Sequence, residues 1–239
     1  MQSSWKNMLL AFCAAATAAT AGYPVAARAS DVPANCTGCD LSGADFHNRD
    51  LRTVKWVGVD LSNADLSGSD LRGARLVGAD LEHVKLAGAR LDGAQLVGAN
   101  LSDSQLTSIS FAGARIVGAD FNRSDLNRSS FAGDRLVGVD FRHAALRDAN
   151  FAGTVLCYRG RYDGRIGCSD FGGADLRGAN FHGALICDSN DRVVIRDHGD
   201  TITTNNGEDE GADDSHCRAL DAATLRSEGH ADLNGAQGI

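Results

Sequence analysis

The sequence predicts an all-β solenoid, a chain that corners every five residues and completes a coil every twenty. Two periodicities and one fact of composition predict it. A large apolar residue stands at every fifth position from Leu41, Phe46, Leu51 and Trp56 onward to Leu156. A longer motif returns every twenty residues: WVGVD at 56–60, LVGAD at 76–80, LVGAN at 96–100, IVGAD at 116–120 and LVGVD at 136–140. Aromatic residues make up only 6% of the 239, and glycine numbers 28. That composition suits a core of medium aliphatic side chains and many tight turns.

The N-terminal segment comes first. Lys6 supplies a positive charge, Met8 to Ala21 is an apolar run of signal-peptide length, and Ala27-Arg28-Ala29 fits the small-x-small cleavage pattern. Residues 1–29 are therefore expected to be an export signal cut after Ala29. The run is too short and too rich in Ala and Thr for a spanning helix. Leu10-Ala11-Phe12-Cys13 departs from a lipoprotein pattern because Phe12 is not small. No later segment is apolar enough to span a bilayer, so the expected location is periplasmic or secreted.

Cysteine usage agrees with export. Removal of Cys13 leaves Cys36, Cys39, Cys157, Cys168, Cys187 and Cys217, an even set suited to an oxidising compartment. Six cysteines can pair in many ways, and local spacing favours Cys36 with Cys39, Cys157 with Cys168, and Cys187 with Cys217. The first pair lies in residues 30–39, where a cap must cover the exposed edge of the first coil. A zinc site there would need a second CxxC or a nearby His pair, and the sequence has neither.

The repeat proper occupies residues 40–187. Two positions before each large residue there is usually a small or β-branched one, as at Ala44, Val54, Val59, Ala64 and Ala74. A helix would spread a five-residue period around its whole circumference. An unbroken strand would flip every second Leu outward. Only a chain that turns once per unit keeps them all inside, and the twenty-residue motif gives four units to a coil. Units such as Ala64-Asp65-Leu66-Ser67-Gly68, Ala79-Asp80-Leu81-Glu82-His83 and Ala174-Asp175-Leu176-Arg177-Gly178 resemble the A(D/N)LXX signature of the pentapeptide-repeat family. The resemblance implies a right-handed quadrilateral β-helix with the Leu/Phe and the small residue pointing inward. Trp56 is large for such a position.

Residues 157–170 break the pattern, which resumes through Phe171, Leu176, Phe181 and Ile186. Phe171 is expected on the same edge as Leu71, Leu91, Phe111, Phe131 and Phe151. The break reads as an excursion loop pinned by Cys157 and Cys168, and loops on rigid scaffolds often carry function. Tyr158, Arg159, Arg161, Tyr162 and Arg165 make it the most distinctive surface feature and the candidate partner-binding site. Beyond it, residues 188–239 form an acidic tail with 12 Asp/Glu and 4 Arg. Residues 192–196 are expected to be a strand that extends or closes the last coil, 205–214 an acidic linker, and 216–227 a helix capped by Asp214 or Ser215.

No nucleophile elbow, phosphate loop or zinc-protease motif occurs, so no catalytic or cofactor-binding residue is assigned and no cofactor is expected. His83 and His143 share an edge but lie three coils apart, too far to hold one metal. Asp60, Asp80, Asn100, Asp120 and Asp140 form a ladder beside a second one of Lys55, Arg75, Gln95, Arg115 and Arg135. The carboxylates are expected to accept backbone hydrogen bonds at corners. The family resemblance also brings a DNA-mimic alternative, protection of gyrase, a topoisomerase. Mimicry needs an anionic rod, whereas residues 37–187 hold 18 Asp/Glu against 17 Lys/Arg. The expectation is an exported, non-catalytic scaffold that binds a protein partner and no nucleic acid.

Overall fold

The computed structural model describes residues 32–159, 166–188, 193–194, 203–204 and 217–238. The expected signal (1–29), the acidic linker (205–214) and loop residues Arg161, Tyr162 and Arg165 lie outside the described residues.

From residue 40 the chain pairs with itself in parallel at a spacing of twenty residues, in four columns per coil: Asp40 with Asp60, Asp45 with Asp65, Asp50 with Asp70, and Lys55 with Arg75. The ladder runs both ways. Leu41 N donates to Asp60 O at 2.7 Å, and Asp60 N donates to Cys39 O at 2.9 Å. Most contacts are single bridges separated by turns, because a unit of five leaves room for one extended pair before each corner. Corner backbones enter the left-handed region, with Gly73 at φ 71° and His83 at φ 57°, which explains the frequent glycine there. The result is a parallel β-helix.

Short strands appear where a face is flatter. β1 (Asn35–Thr37) pairs in parallel with β2 (Lys55–Val57), and β3 (Ile116–Val117) with β4 (Leu136–Val137). β5 (Val155–Arg159) pairs antiparallel with β6 (Ile166–Cys168) and in parallel with β7 (Leu185–Asp188). β8 (Val193–Val194) and β9 (Thr203–Thr204) form a separate antiparallel pair. β10 (Cys217–Ala219) pairs antiparallel with β7, giving a four-stranded sheet in the order β10-β7-β5-β6. One helix among the described residues, α1 (Ala222–Glu228), follows.

The interior is a stack of Leu, Phe and small residues. Leu96 is fully buried between its column neighbours Leu76 and Ile116, as the five-residue period requires. Trp56 is also fully buried. It fills the base of the rod above Cys36, lies 5.3 Å from Phe46, and donates its indole N–H to Pro33 O at 2.7 Å. A large side chain fits there because the column begins at the cap.

Three expectations are corrected. Phe171 joins the edge of Phe121 and Phe141 instead of that of Phe151. It stacks on Phe141 at 5.0 Å with 12° between planes, while Phe181 stacks on Phe151 at 4.9 Å and 5°. The bridges say the same, since Asp140 pairs with Asp170 and Asn150 with Asn180. The excursion adds two units to one coil, so every later residue moves two columns on.

The helix begins at Ala222 and not at 216. Asp221 is its N-cap, accepting a hydrogen bond from Thr224 N at 2.7 Å, and residues 217–219 are drawn into β10 by pairing with β7. Val193 and Val194, within the strand expected at 192–196, pair with β9, whereas the strand added to the last coil is β10.

The tail is therefore partly a lid. Phe171 N donates to Gly229 O, Gly178 N to Gly235 O and Phe181 N to Gln237 O, while Leu220 N donates to Ala184 O. The segment after β10 meets the open edge on all four columns. Leu220, Leu225, Ala231 and Leu233 are buried in the core and close its apolar cross-section.

Candidate functional site

The polar columns resolve into corner chemistry. Asp60 Oδ1 accepts Ser62 N at 2.9 Å, Asp120 accepts Asn122 N at 2.7 Å and Asp170 accepts Gly172 N at 2.9 Å. Each carboxylate holds the turn two residues on, as expected of Asx turns. Where Arg stands in the second position it also pairs with the same acid. Arg52 and Arg72 reach Asp50 and Asp70 at 2.6 Å, and hydrogen bonds from Arg52 hold the Asp50 carboxyl down at about 2. Hydrogen bonds from Arg177 and Arg147 depress Asp175 further still. Among the described residues no cluster of His, Cys, Asp or Glu has metal-site geometry, and His83 and His143 stay apart on their corners.

The break in the rod is a β-hairpin. Cys157 lies opposite Cys168, and the two are disulfide-bonded across β5 and β6. One strand over, Cys187 is bonded to Cys217 across β7 and β10, and Cys36 to Cys39 at the other end of the rod. The three pairings are those favoured by spacing. The register between β5 and β7 shifts by one residue between Val155 and Cys157, which is where the hairpin leaves the coil. Of the candidate binding residues, Tyr158 sits half-buried on β5 opposite Gly167, and Arg159 is the last residue of that strand. The structure thus places Tyr158 and Arg159 at the hairpin base.

One unusual group escaped the sequence reading. Asp134 occupies the inward small-residue column otherwise filled by Ala74, Ala94, Ala114 and Thr154, and it is 4% exposed. Its Oδ1 accepts Gly113 N at 2.8 Å, taking the donor that in neighbouring coils bonds a carbonyl, and its Oδ2 has no partner. Burial, with the charge of Asp92 nearby, pushes its pKa up to about 7. The signal was present, since an Asp replaces Ala in a strict column.

Pentapeptide-repeat models match in 8 copies that together run over residues 34–133, 135–158 and 167–190, more than half of the sequence. The chain belongs to the pentapeptide repeat family. The right-handed β-helix of that family accords with the parallel pairing at twenty-residue spacing. Similar solved structures include Rfr23, a pentapeptide repeat protein from the cyanobacterium Cyanothece 51142, at 20% identity over 65% of this chain and 88% of that one, TM-score 0.28. HetL from Nostoc sp. strain PCC 7120, involved in heterocyst differentiation regulation, is 30% identical over 63% of this chain and 79% of its own, TM-score 0.26. A pentapeptide repeat protein from the Arabidopsis thaliana thylakoid lumen is 27% identical over 54% of this chain and 79% of its own, TM-score 0.25. No curated protein matches the chain.

Proposed function

We propose that this protein is a non-catalytic, extracytoplasmic scaffold, a four-sided rod that presents the β5–β6 hairpin to a protein partner. The observation that carries this reading is the fate of the coil at the break. Phe171 takes its place on Phe141 as though the hairpin were not there. The phenylalanine stack draws nothing from the excursion beyond its base, where Cys157 is buried and β5 pairs with β7. A two-unit insertion held at its base by Cys157–Cys168 is then best understood as a displayed element. Its tyrosines and arginines are residue types that commonly dominate binding energy.

The extracytoplasmic part rests on the three cysteine pairs, which persist in oxidising compartments, and on the signal-like segment before Ser30. The balanced charge of the rod weighs against DNA mimicry, because duplex DNA carries a negative charge about every 1.7 Å. Affinity capture from an extracytoplasmic extract tests the proposal with wild type, Tyr158→Ala/Tyr162→Ala and an Asp65→Asn/Asp125→Asn control on the rod. The expected result is a partner bound by wild type and control and lost by the tyrosine variant. A partner lost only by the control would move the site to the rod.

A further inference from the structure

One face of the rod differs from the other three. At the outward position after the core residue it carries Val57, Val77, Val97, Val117 and Val137, each twenty residues after the last. Val57, Val77, Val117 and Val137 are partly exposed, and Val97 is buried, 8% exposed. At about 4.8 Å per coil these valines form a straight apolar column roughly 19 Å long. The stripe cannot recruit a partner strand through its backbone, whose donors are already used along the rod, as in Gly78 N to Val97 O and Gly98 N to Val117 O. Whatever covers it must do so with side chains.

Its two flanks are charged in a matched order. Two residues before the valines stand Lys55, Arg75, Gln95, Arg115 and Arg135, and three residues after them stand Asp60, Asp80, Asn100, Asp120 and Asp140, the last already paired with Arg142. Coil by coil the pairs are Lys with Asp, Arg with Asp, Gln with Asn, and Arg with Asp twice. The only neutral residue in each column falls in the same coil. Elsewhere on the rod several arginines pair with acids of the same chain, as in Arg52–Asp50, Arg72–Asp70 and Arg123–Asp103, each at 2.6 Å. On this face valine occupies the place at which an acid would be needed to pair with the Lys or Arg two residues before it. Among the described residues Arg75 and Arg115 make no ion pair, and Arg75 Nε and Arg115 Nη2 are buried without a hydrogen-bond partner.

A body that covers the stripe must offer acids to one flank, bases to the other, and a neutral pair at the coil of Gln95. A second copy does so in only one orientation. Turned about an axis parallel to the rod, it lays valine on valine, brings Asp80 to Arg75 and Asp120 to Arg115, and sets Asn100 against Gln95 with no axial offset. Turned about an axis across the rod, it would bring arginine to arginine. We propose that this face is an interface between two copies of the chain, packed side by side and parallel about a two-fold axis running along the rod.

The stripe is well short of the ~800 Å² that each partner buries in a standard interface. The dimer is accordingly a weak one, to be sought at high protein concentration. Sedimentation equilibrium of the full chain in low salt, from about 10 μM to about 1 mM, reads it directly. Arg75→Asp/Arg115→Asp should be monomeric across this range, and so should Asp80→Arg/Asp120→Arg. The decisive sample is their equimolar mixture, in which the two-fold sets every altered residue against an opposite charge. It should recover dimer to within a few-fold of wild type. Val77→Glu/Val117→Glu leaves the corner carboxylates untouched and should also be monomeric with unchanged circular dichroism, so the test survives if Asp80→Arg/Asp120→Arg fails to fold. A wild type that stays monomeric at 1 mM, a valine variant that dimerises like wild type, or folded charge variants that do not complement each other would overturn the proposal.

Discussion

Phe171 stacks on Phe141, thirty residues before it, with ring centroids 5.0 Å apart, whereas Phe141 itself stacks on Phe121, twenty residues before it, at 5.3 Å. The rod is therefore continuous through a coil that contains ten additional residues. Its core there is a double column of phenylalanines, with edge-to-face contacts such as Phe141–Phe151 at 5.8 Å joining the two stacks. Stability and the proposed display are therefore separable, and each can be tested.

The core comes first. Leu96 is fully buried within a column of large apolar residues that allows little collapse around a cavity. Leu96→Ala should cost about 2 to 5 kcal/mol in chemical denaturation. Leu96→Asp should yield no cooperative transition, since an unpaired charge would enter the core.

Asp134 gives the rod an unusual pH response. Its folded pKa, about 7, lies above the ordinary carboxylate value, so the folded chain binds this proton more tightly than the unfolded one. The associated stability is present below about pH 4 and is lost as pH rises through about 7. Asp134→Ala restores the column residue and should be more stable than wild type at pH 8, by about 2 to 4 kcal/mol, with the advantage shrinking steadily toward pH 5. Denaturation midpoints of the two proteins at several pH values measure the difference. A gap that does not change with pH would refute the assignment.

The lid offers a third test. Cys187–Cys217 closes a 30-residue separation and ties β10, α1 and the final turns to the last coil. Cys187→Ser/Cys217→Ser should lose about 3 to 4 kcal/mol by the loop-entropy relation. Hydrogen exchange should show earlier opening at Leu225 and Gln237 than at Leu96, whose coil lies mid-rod.

These relationships were unequally legible in the sequence. Leu41 to Leu156 declare their burial through a period that only a cornering chain can satisfy, and the return of the VG motif at 57–58, 77–78 and 97–98 gives the coil length. The column of Phe171 was not legible from the five-residue step. Any whole number of units preserves that step, and the face is set by the remainder after twenty. Two units in the hairpin turn the later chain by two columns, and backbone pairing reveals it.

The start of α1 was hidden for another reason. Asp214, Ser215 and Asp221 are all good caps. What selects Asp221 is the long-range pairing of Cys217 with Cys187, which holds residues 217–219 extended. Asp134 could have been found, because it interrupts the run of Ala74, Ala94 and Ala114. Of the candidate binding residues, the sequence marked the excursion and its disulfide. Pairing with Gly167 shows that Tyr158 belongs to the wall of the hairpin.

The most direct measurement is made on a rod without its hairpin. Deleting residues 157–166 joins Leu156 to Gly167, and Cys168→Gly then supplies the corner residue, so that Ser169, Asp170 and Phe171 follow in the unbroken five-residue pattern. Phe171 then falls twenty places after Phe141, the column it already occupies. Circular dichroism and thermal denaturation should show a cooperatively folded β protein, and capture with the same chain should yield none of the partner held by wild type. A deletion variant that unfolds would contradict the independence of the rod, and a folded one that retains the partner would contradict its display by the hairpin.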